Sequence, residues 1–286
     1  MEQISIENFS EKKLPEIGKL GKAPAKTSMK ALILSDYLPK AAPLLPKATN
    51  FWTKKKPIPL RAFGNMQYGC CTRASQANAA LRMERLEQKR TIDIADDEVI
   101  RVYKEATTRR FGADWINDPI GADTGDFESD SLSDWRKPDL TFRDTKNRPL
   151  TIDAFVKINH NNIDEIKQAL VASKGQGIKI CLNMPLAWQR TLTWDIPEGQ
   201  QPIGEFLRGS WGGHSLYSED YNEFGLIMPT WDTKVTVSWK AILYFCDESY
   251  LIIDSINSWK KKVDKKQLNI SAIKSDVNSV SSQKIK

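Results

Sequence analysis

Gly64–Ala80 reads GNMQYGCCTRASQANAA and sets Cys71 at the start of an Ala-rich helical stretch, directly after a Gly-containing loop. Unpaired backbone N–H groups and the helix dipole stabilise an anion there, so a thiol can be held partly as thiolate, the form that attacks a carbonyl carbon. The ordinary alternative is an inert buried thiol. Gly212-Gly213-His214-Ser215-Leu216 supplies a complement, a histidine opening a strand far along the chain. A thiol nucleophile needs a base within hydrogen-bond reach, commonly from a distant segment. The chain has two histidines, and His160, in the polar run Asn159–Asn162, reads as a solvated or capping residue. His214 is therefore the candidate base. Cys181 and Cys246 read as core fillers.

Those two side chains must be positioned by unlike elements. Helical spacing predicts helices over Thr72–Gln88, Asp96–Thr108 and Ser129–Lys137, the last stopping before Pro138. From Thr151 the pattern changes: a strand to Lys157, a helix over Asn162–Ser173, and a strand over Gly177–Pro185. Residues 189–213 read as a long Trp-, Gly- and Pro-rich loop, and His214–Tyr221 with Leu226–Trp231 as a hairpin. Trp239–Glu248 is a helix or strand edge, Tyr250–Ile253 a last strand, and the Lys/Ser-rich stretch after Trp259 a tail. Helices first and strands later give an α+β fold. The expected organisation is an N-terminal arm over 1–62, a helical lobe over 63–145, a β-rich lobe over 146–259 and a tail over 260–286.

Composition narrows the function classes. With 286 residues, 40% hydrophobic and 27% charged, the chain can bury a sizeable core, and wholesale disorder is excluded. No apolar run reaches the ~18 residues of a membrane span, and the N-terminus lacks a signal-peptide pattern, so a cytoplasmic or particle-borne protein is expected. Four cysteines, two of them adjacent, suit a reducing compartment. No metal-binding spacing, phosphate loop or cofactor fingerprint is present, so neither a metal nor a cofactor is expected. The net charge of +6 divides into +7 over 1–61, −7 over 62–259 and +6 over 260–286. Such ends are solvated termini or arms that grip an acidic surface, here most simply neighbouring protein subunits; nucleic acid is a weaker option without aromatic interleaving.

Taken in order, the motifs resemble papain-like cysteine peptidases: an amide six residues before the nucleophile (Asn65), a loop Gly (Gly69), Cys71 at a long helix, and the later Gly213-His214. Thr230-Trp231 stands where that family has Ser-Trp. More narrowly, Gly64-Asn65-Met66-Gln67-Tyr68-Gly69-Cys70-Cys71-Thr72 is similar to the G-N-D-x-Y-G-D-C-T motif of a branch found in phage and bacterial genomes. Leu132-Ser133-Asp134-Trp135-Arg136, Gly212-Gly213-His214, Thr230-Trp231-Asp232 and Asp247-Glu248-Ser249-Tyr250 accompany it. The resemblance implies a helical lobe carrying the cysteine helix, packed on an antiparallel β lobe carrying the histidine. It also implies Cys71 as nucleophile, His214 as base, and an oxyanion hole from the Asn65 side chain and the Cys71 N–H.

Four departures stand out: Pro229 where the family's orienting Asn falls, Cys70 and Met66 for two Asp, and Thr72 for the Trp after the nucleophile. Thr230, Asp220 or Asn222 could take the orienting role. The expected function is a thiol hydrolase cutting peptide or amide bonds. The alternative is a catalytically silent assembly component of a phage virion, its basic arms on neighbouring subunits.

Overall fold

The computed structural model describes residues 17–26, 31–40, 43–51, 58–87, 89–263 and 267–282. Three helices come first: α1 (Cys71–Glu87), α2 (Asp96–Phe111) and α3 (Glu128–Trp135). α1 is buried from Cys71 through Glu84, and its small Ala74, Ala77, Ala79 and Ala80 let neighbours approach closely. A helix enclosed on all sides must pair any charge it carries. Arg73 Nη2 accordingly meets Asp126 Oδ2 at 3.0 Å and Asp134 Oδ2 at 2.9 Å. Arg110 of α2 reaches the same two acids, which ties the three helices together. α2 opens on Asp96-Asp97-Glu98, favourable at a helix N-terminus, and closes on Gly112 at φ 67°.

A five-stranded sheet follows, in the order β1 (Leu32–Ile33), β2 (Ala154–Lys157), β9 (Cys246–Ile253), β3 (Ile178–Met184), β5 (Gly212–Ser218). β1 and β2 are parallel and the other pairs antiparallel. Period-two alternation splits its residues between two cores. Tyr217, Tyr250 and Ile252 join the helical lobe's cluster with Phe63, Leu81, Val99 and Trp135. Leu216, Ile180, Leu182, Leu251 and Ile253 face the other way, onto α4 (Ile163–Ser173) and the second sheet. That sheet runs β4 (Thr193–Trp194), β8 (Thr233–Ser238), β7 (Gly225–Thr230), β6 (Asp220–Tyr221), with α5 (Trp239–Phe245) leading straight into β9. The architecture is α+β, as the order of helices and strands predicts.

Several local expectations change. β5 pairs with β3 rather than forming a hairpin with β7; only Asp220-Tyr221 pairs back on Leu226-Ile227. The chain crosses between sheets at Glu219, so one run of strand residues serves two sheets. The tighter hairpin joins β7 to β8 through Trp231 and Asp232, at φ 46° and 62°. Both residues adopt the left-handed conformation of a two-residue hairpin turn, normally an Asn-Gly role, so Trp231 is held at a conformational cost. The stretch after Trp259 is not simply a tail. It holds α6 (Ile256–Lys262) and α7 (Ile270–Ser282), with Leu268, Ile270 and Ile273 in the core. Ile270, Ile273 and Val277 recur at helical spacing and supply an apolar stripe within the Lys/Ser-rich composition. Asn162 rather than His160 caps α4, accepting from the Asp164 and Glu165 N–H groups.

Candidate active site

The cysteine pair divides by direction. Cys70 turns into the helical lobe, its Sγ 3.6 Å from the Phe63 carbonyl. Cys71 opens α1 and meets the sheet, with the Ser215 N–H donating to its Sγ at 3.4 Å. Ser215 follows His214 on β5, so the helix N-terminus and the histidine strand are in contact. Strand alternation sends the two side chains to opposite faces: Ser215 towards α1 and α3, His214 towards the second sheet.

His214 lies 4.5 Å from Trp231, ring on ring at 26°. Its Nε2 is 2.8 Å from Thr230 Oγ1, so of the three orienting candidates Thr230 is the one in hydrogen-bond contact with it. Asp220 and Asn222, the other candidates, are elsewhere. Asp220 accepts from the Phe51 N–H, and the Asn222 side chain accepts from the Phe224 and Gly225 N–H groups inside its turn. Both lie at the far end of the β6–β7 hairpin, whereas Thr230 ends β7 beside His214. The Nδ1 of His214 has no hydrogen-bond partner.

Asn65 is fixed by chemistry as well as distance. The Trp231 Nε1–H can only donate, and it reaches Asn65 Oδ1 at 2.8 Å, so the Asn65 amide nitrogen must point the other way. There Nδ2 donates to the Lys19 and Tyr68 carbonyls, both at 2.9 Å. Trp231 thus stacks on the histidine and sets the amide. The Thr-Trp pair marked it in the sequence, but nothing there shows that it serves two partners.

The main surprise is what fills the cleft. Residues 18–23 run across it: Lys19 N–H donates to the Asn65 carbonyl at 2.7 Å, Lys22 N–H to the Gly213 carbonyl at 3.0 Å, and Ala23 N–H to the Asp126 carbonyl at 2.9 Å. Contact is too close for side chains. A Cβ on Gly21 would sit 1.8 Å from the Gly69 carbonyl oxygen, and one on Gly213 would sit 2.0 Å from the Lys22 oxygen. Cys71 and His214 are each only 1% exposed. Burial pushes the Cys71 thiol up to about 11 against the opposing Ser215 N–H, and burial with the nearby Lys179 charge pushes His214 down to about 3. Covered in this way, both groups are neutral.

Behind Cys71 lies a buried cluster. Lys179 of β3 pairs with Glu128 at 3.4 Å and bonds to Ser75, and Glu128 accepts from the Ser215 hydroxyl at 2.6 Å. Lysine within the apolar run Ile178–Leu182 was the available signal. Among the described residues no group of His, Cys, Asp and Glu has metal-site geometry, and no helix is long and apolar enough to cross a membrane.

No protein-family model matches the chain, and no curated protein matches it. Solved structures do. The chain is similar to xylellain, a cysteine protease from Xylella fastidiosa, at a TM-score of 0.62 and 15% identity, covering 85% of this chain and 98% of that one. It is also similar to the Carica candamarcensis cysteine protease CMS1MS2 solved with E-64, at 0.51 and 12%, covering 74% and 100%. The cysteine protease and lectin-like domains of Cwp84 from Clostridium difficile align at 0.56 and 10%, over 82% and 55%. At these identities the fold is shared: it is the papain-like cysteine protease fold.

Proposed function

We propose that the chain is a thiol peptidase, with Cys71 as nucleophile and His214 as base, held closed by its own residues 18–23. The observation that carries this reading is the hydrogen bond from Asn65 Nδ2 to the Lys19 carbonyl. A peptide carbonyl lies across the mouth of the cysteine helix, bound by the side-chain amide that would polarise a substrate carbonyl.

With the segment withdrawn, water returns and both shifts shrink towards ordinary values. Nε2–H donating to Thr230 leaves the lone pair on Nδ1, so Nδ1 takes the thiol proton as Sγ bonds to the carbonyl carbon. The carbonyl electrons move onto oxygen, facing Asn65 Nδ2. Their return breaks the C–N bond, and the imidazolium passes its proton to the leaving amine. Water, deprotonated by His214, then cleaves the thioester.

The second reading is a silent assembly body. It is favoured by the unpartnered Nδ1 of His214 and by Pro229 at the expected Asn position. Against its basic-arm element, Lys19, Lys22 and Lys26 pair with acids of their own chain. The deciding experiment is iodoacetamide alkylation of Cys71 against pH in the Gly21→Ala chain, with Cys71→Ser, His214→Ala and Cys70→Ser as controls. Fast alkylation persisting well below ~8.5, and lost in Cys71→Ser and His214→Ala, supports the peptidase. An ordinary thiol titration indifferent to His214→Ala sinks it.

A further inference from the structure

The Asp247-Glu248-Ser249-Tyr250 motif plays no part in the chemistry above, yet it is where the covering segment is anchored. Lys22 is 4% exposed, and its side chain passes from the Gly213 edge into the space between the lobes. There Nζ bonds to Asp247 and stands 3.2 Å from Glu248 Oε1. Glu248 Oε2 accepts from the Tyr250 hydroxyl at 2.7 Å. Asp247 Oδ1 is buried without a partner, so the carboxylate has capacity left over. Register places Ser215, Cys181 and Glu248 in one row across β5, β3 and β9, with Asp247 at the irregularity next to Glu248, so the acidic pair lies two strands across from the residue whose N–H meets Cys71.

Charge decides what this space accepts. Among the described residues Lys22 is the only cation that pairs with either carboxylate; Arg208, close by, donates to the Cys246 carbonyl instead. When residues 18–23 leave, the buried Glu248 and the partly buried Asp247 lose their counter-charge, and a neutral side chain entering in their place would restore nothing. A lysine or arginine would. We infer, on the peptidase reading above, that Asp247 and Glu248 form a subsite selecting a basic side chain in the peptides this site receives, with Lys22 as its resident occupant.

The test uses the full-length Lys22→Ala chain, whose pocket is vacated. N-acetyl-lysine methylamide and its uncharged counterpart N-acetyl-norleucine methylamide are compared by thermal unfolding, a readout independent of catalysis. The lysine amide is expected to raise the midpoint and the norleucine amide not, and neither is expected to shift the chain that also carries Asp247→Asn and Glu248→Gln. No shift from the lysine amide, or equal shifts from both, overturns the subsite.

In the Lys22→Ala chain that also carries Gly21→Ala, so that residues 18–23 lift from Cys71, dipeptidyl chloromethyl ketones with lysine or norleucine at each position in turn then report Cys71 alkylation by intact mass. Lysine at one position is expected to accelerate labelling at least ~10-fold, about 1.4 kcal/mol, and the two carboxylate substitutions to abolish the difference. Equal rates at both positions overturn the selectivity. A lysine-specific shift with no labelling by any ketone supports the pocket and refutes the peptidase reading, so the two fail separately. If Lys22→Ala does not fold, rescue of folding by Asp247→Asn with Glu248→Gln supports the demand for a cation, and failure of that rescue overturns it.

Discussion

Lys179 and Lys22 are both buried against carboxylates between the lobes, and they differ in what carries them. Lys179 stands on β3, flanked by β9 and β5, and its Glu128 partner is equally enclosed. Lys22 belongs to a segment whose described contacts with the body are mostly backbone hydrogen bonds and glycine-to-glycine packing. On the proposed function, Lys179 stays with the sheet while Lys22 leaves with residues 18–23. The site therefore has a fixed part (Cys71, His214, Thr230, Asn65, Trp231 and the Lys179 cluster) and a removable part, residues 18–23. Substitutions in the first should destroy stability or reactivity, and substitutions in the second should release reactivity.

The sharpest way to break that division is to neutralise each lysine. Lys179→Met strands Glu128 among buried groups and should cost about 3–5 kcal/mol of global stability. Lys22→Met should cost clearly less, because the segment can lift and water can partly rehydrate Asp247 and Glu248. Denaturant unfolding of the two variants settles it. Equal losses mean that the segment is as integral as a core strand.

Acid titration probes the same division through His214. Its native value is pushed down to about 3, below the ordinary 6.5, so between those limits the unfolded chain binds a proton that the native chain refuses. This contribution is complete above pH 6.5 and is lost as pH falls towards 3, at no more than ~1.4 kcal/mol per pH unit. Stability measured from pH 7 to 4 should therefore fall less steeply in His214→Gln. It should also fall less steeply in Gly21→Ala, where the opened cleft hydrates the ring. A slope indifferent to Gly21→Ala means that the segment is not what buries His214.

Much of the fixed part was legible because its signals are local. A thiol at a helix start, glycines before a histidine and an amide six residues upstream can be read along the chain, and the structure gathers Cys71, His214 and Asn65 at one cleft. The helices α1 and α2 followed from periodicity for the same reason. What stayed hidden depends on partners distant in sequence. Thr230 could not be told from Asp220 or Asn222, because the choice turns on which end of β7 meets β5. The β7–β8 hairpin was missed because Trp231-Asp232 is no ordinary turn pair. The basic arm could be seen, but not that Lys22 would find Asp247, 225 residues away. Charge patterning gave the sign of the arm's partner and not its address.

Gly21→Ala is the converse experiment, acting on the removable part alone. The added methyl would lie 1.8 Å from the Gly69 carbonyl oxygen, a backbone atom that cannot step aside cheaply. The segment should lift, so iodoacetamide labelling of Cys71 at pH 7 should rise at least ~10-fold, about 1.4 kcal/mol, while the unfolding midpoint changes little. No increase would place the barrier to Cys71 in the body rather than in residues 18–23.

The smallest effect concerns the fixed part's fine positioning and is read best in the opened chain. In Gly21→Ala, replacing Thr230 by Val keeps the shape and removes the oxygen hydrogen-bonded to His214 Nε2, which on the proposed mechanism accepts its proton. The imidazole then loses the bond that keeps its proton on Nε2, and the tautomer with a lone pair at Nδ1 is no longer favoured. Cys71 labelling should drop ~3–10-fold, in line with the ~1 kcal/mol of one hydrogen bond, and Thr230→Ser should recover it. Because a merely structural threonine would affect unfolding rather than the pH profile, the labelling rate is followed from pH 5 to 9. A loss confined to the lower half of that range assigns the effect to the histidine. A uniform loss would mean that Thr230 only packs, and that the fixed part holds its base in place by Trp231 alone.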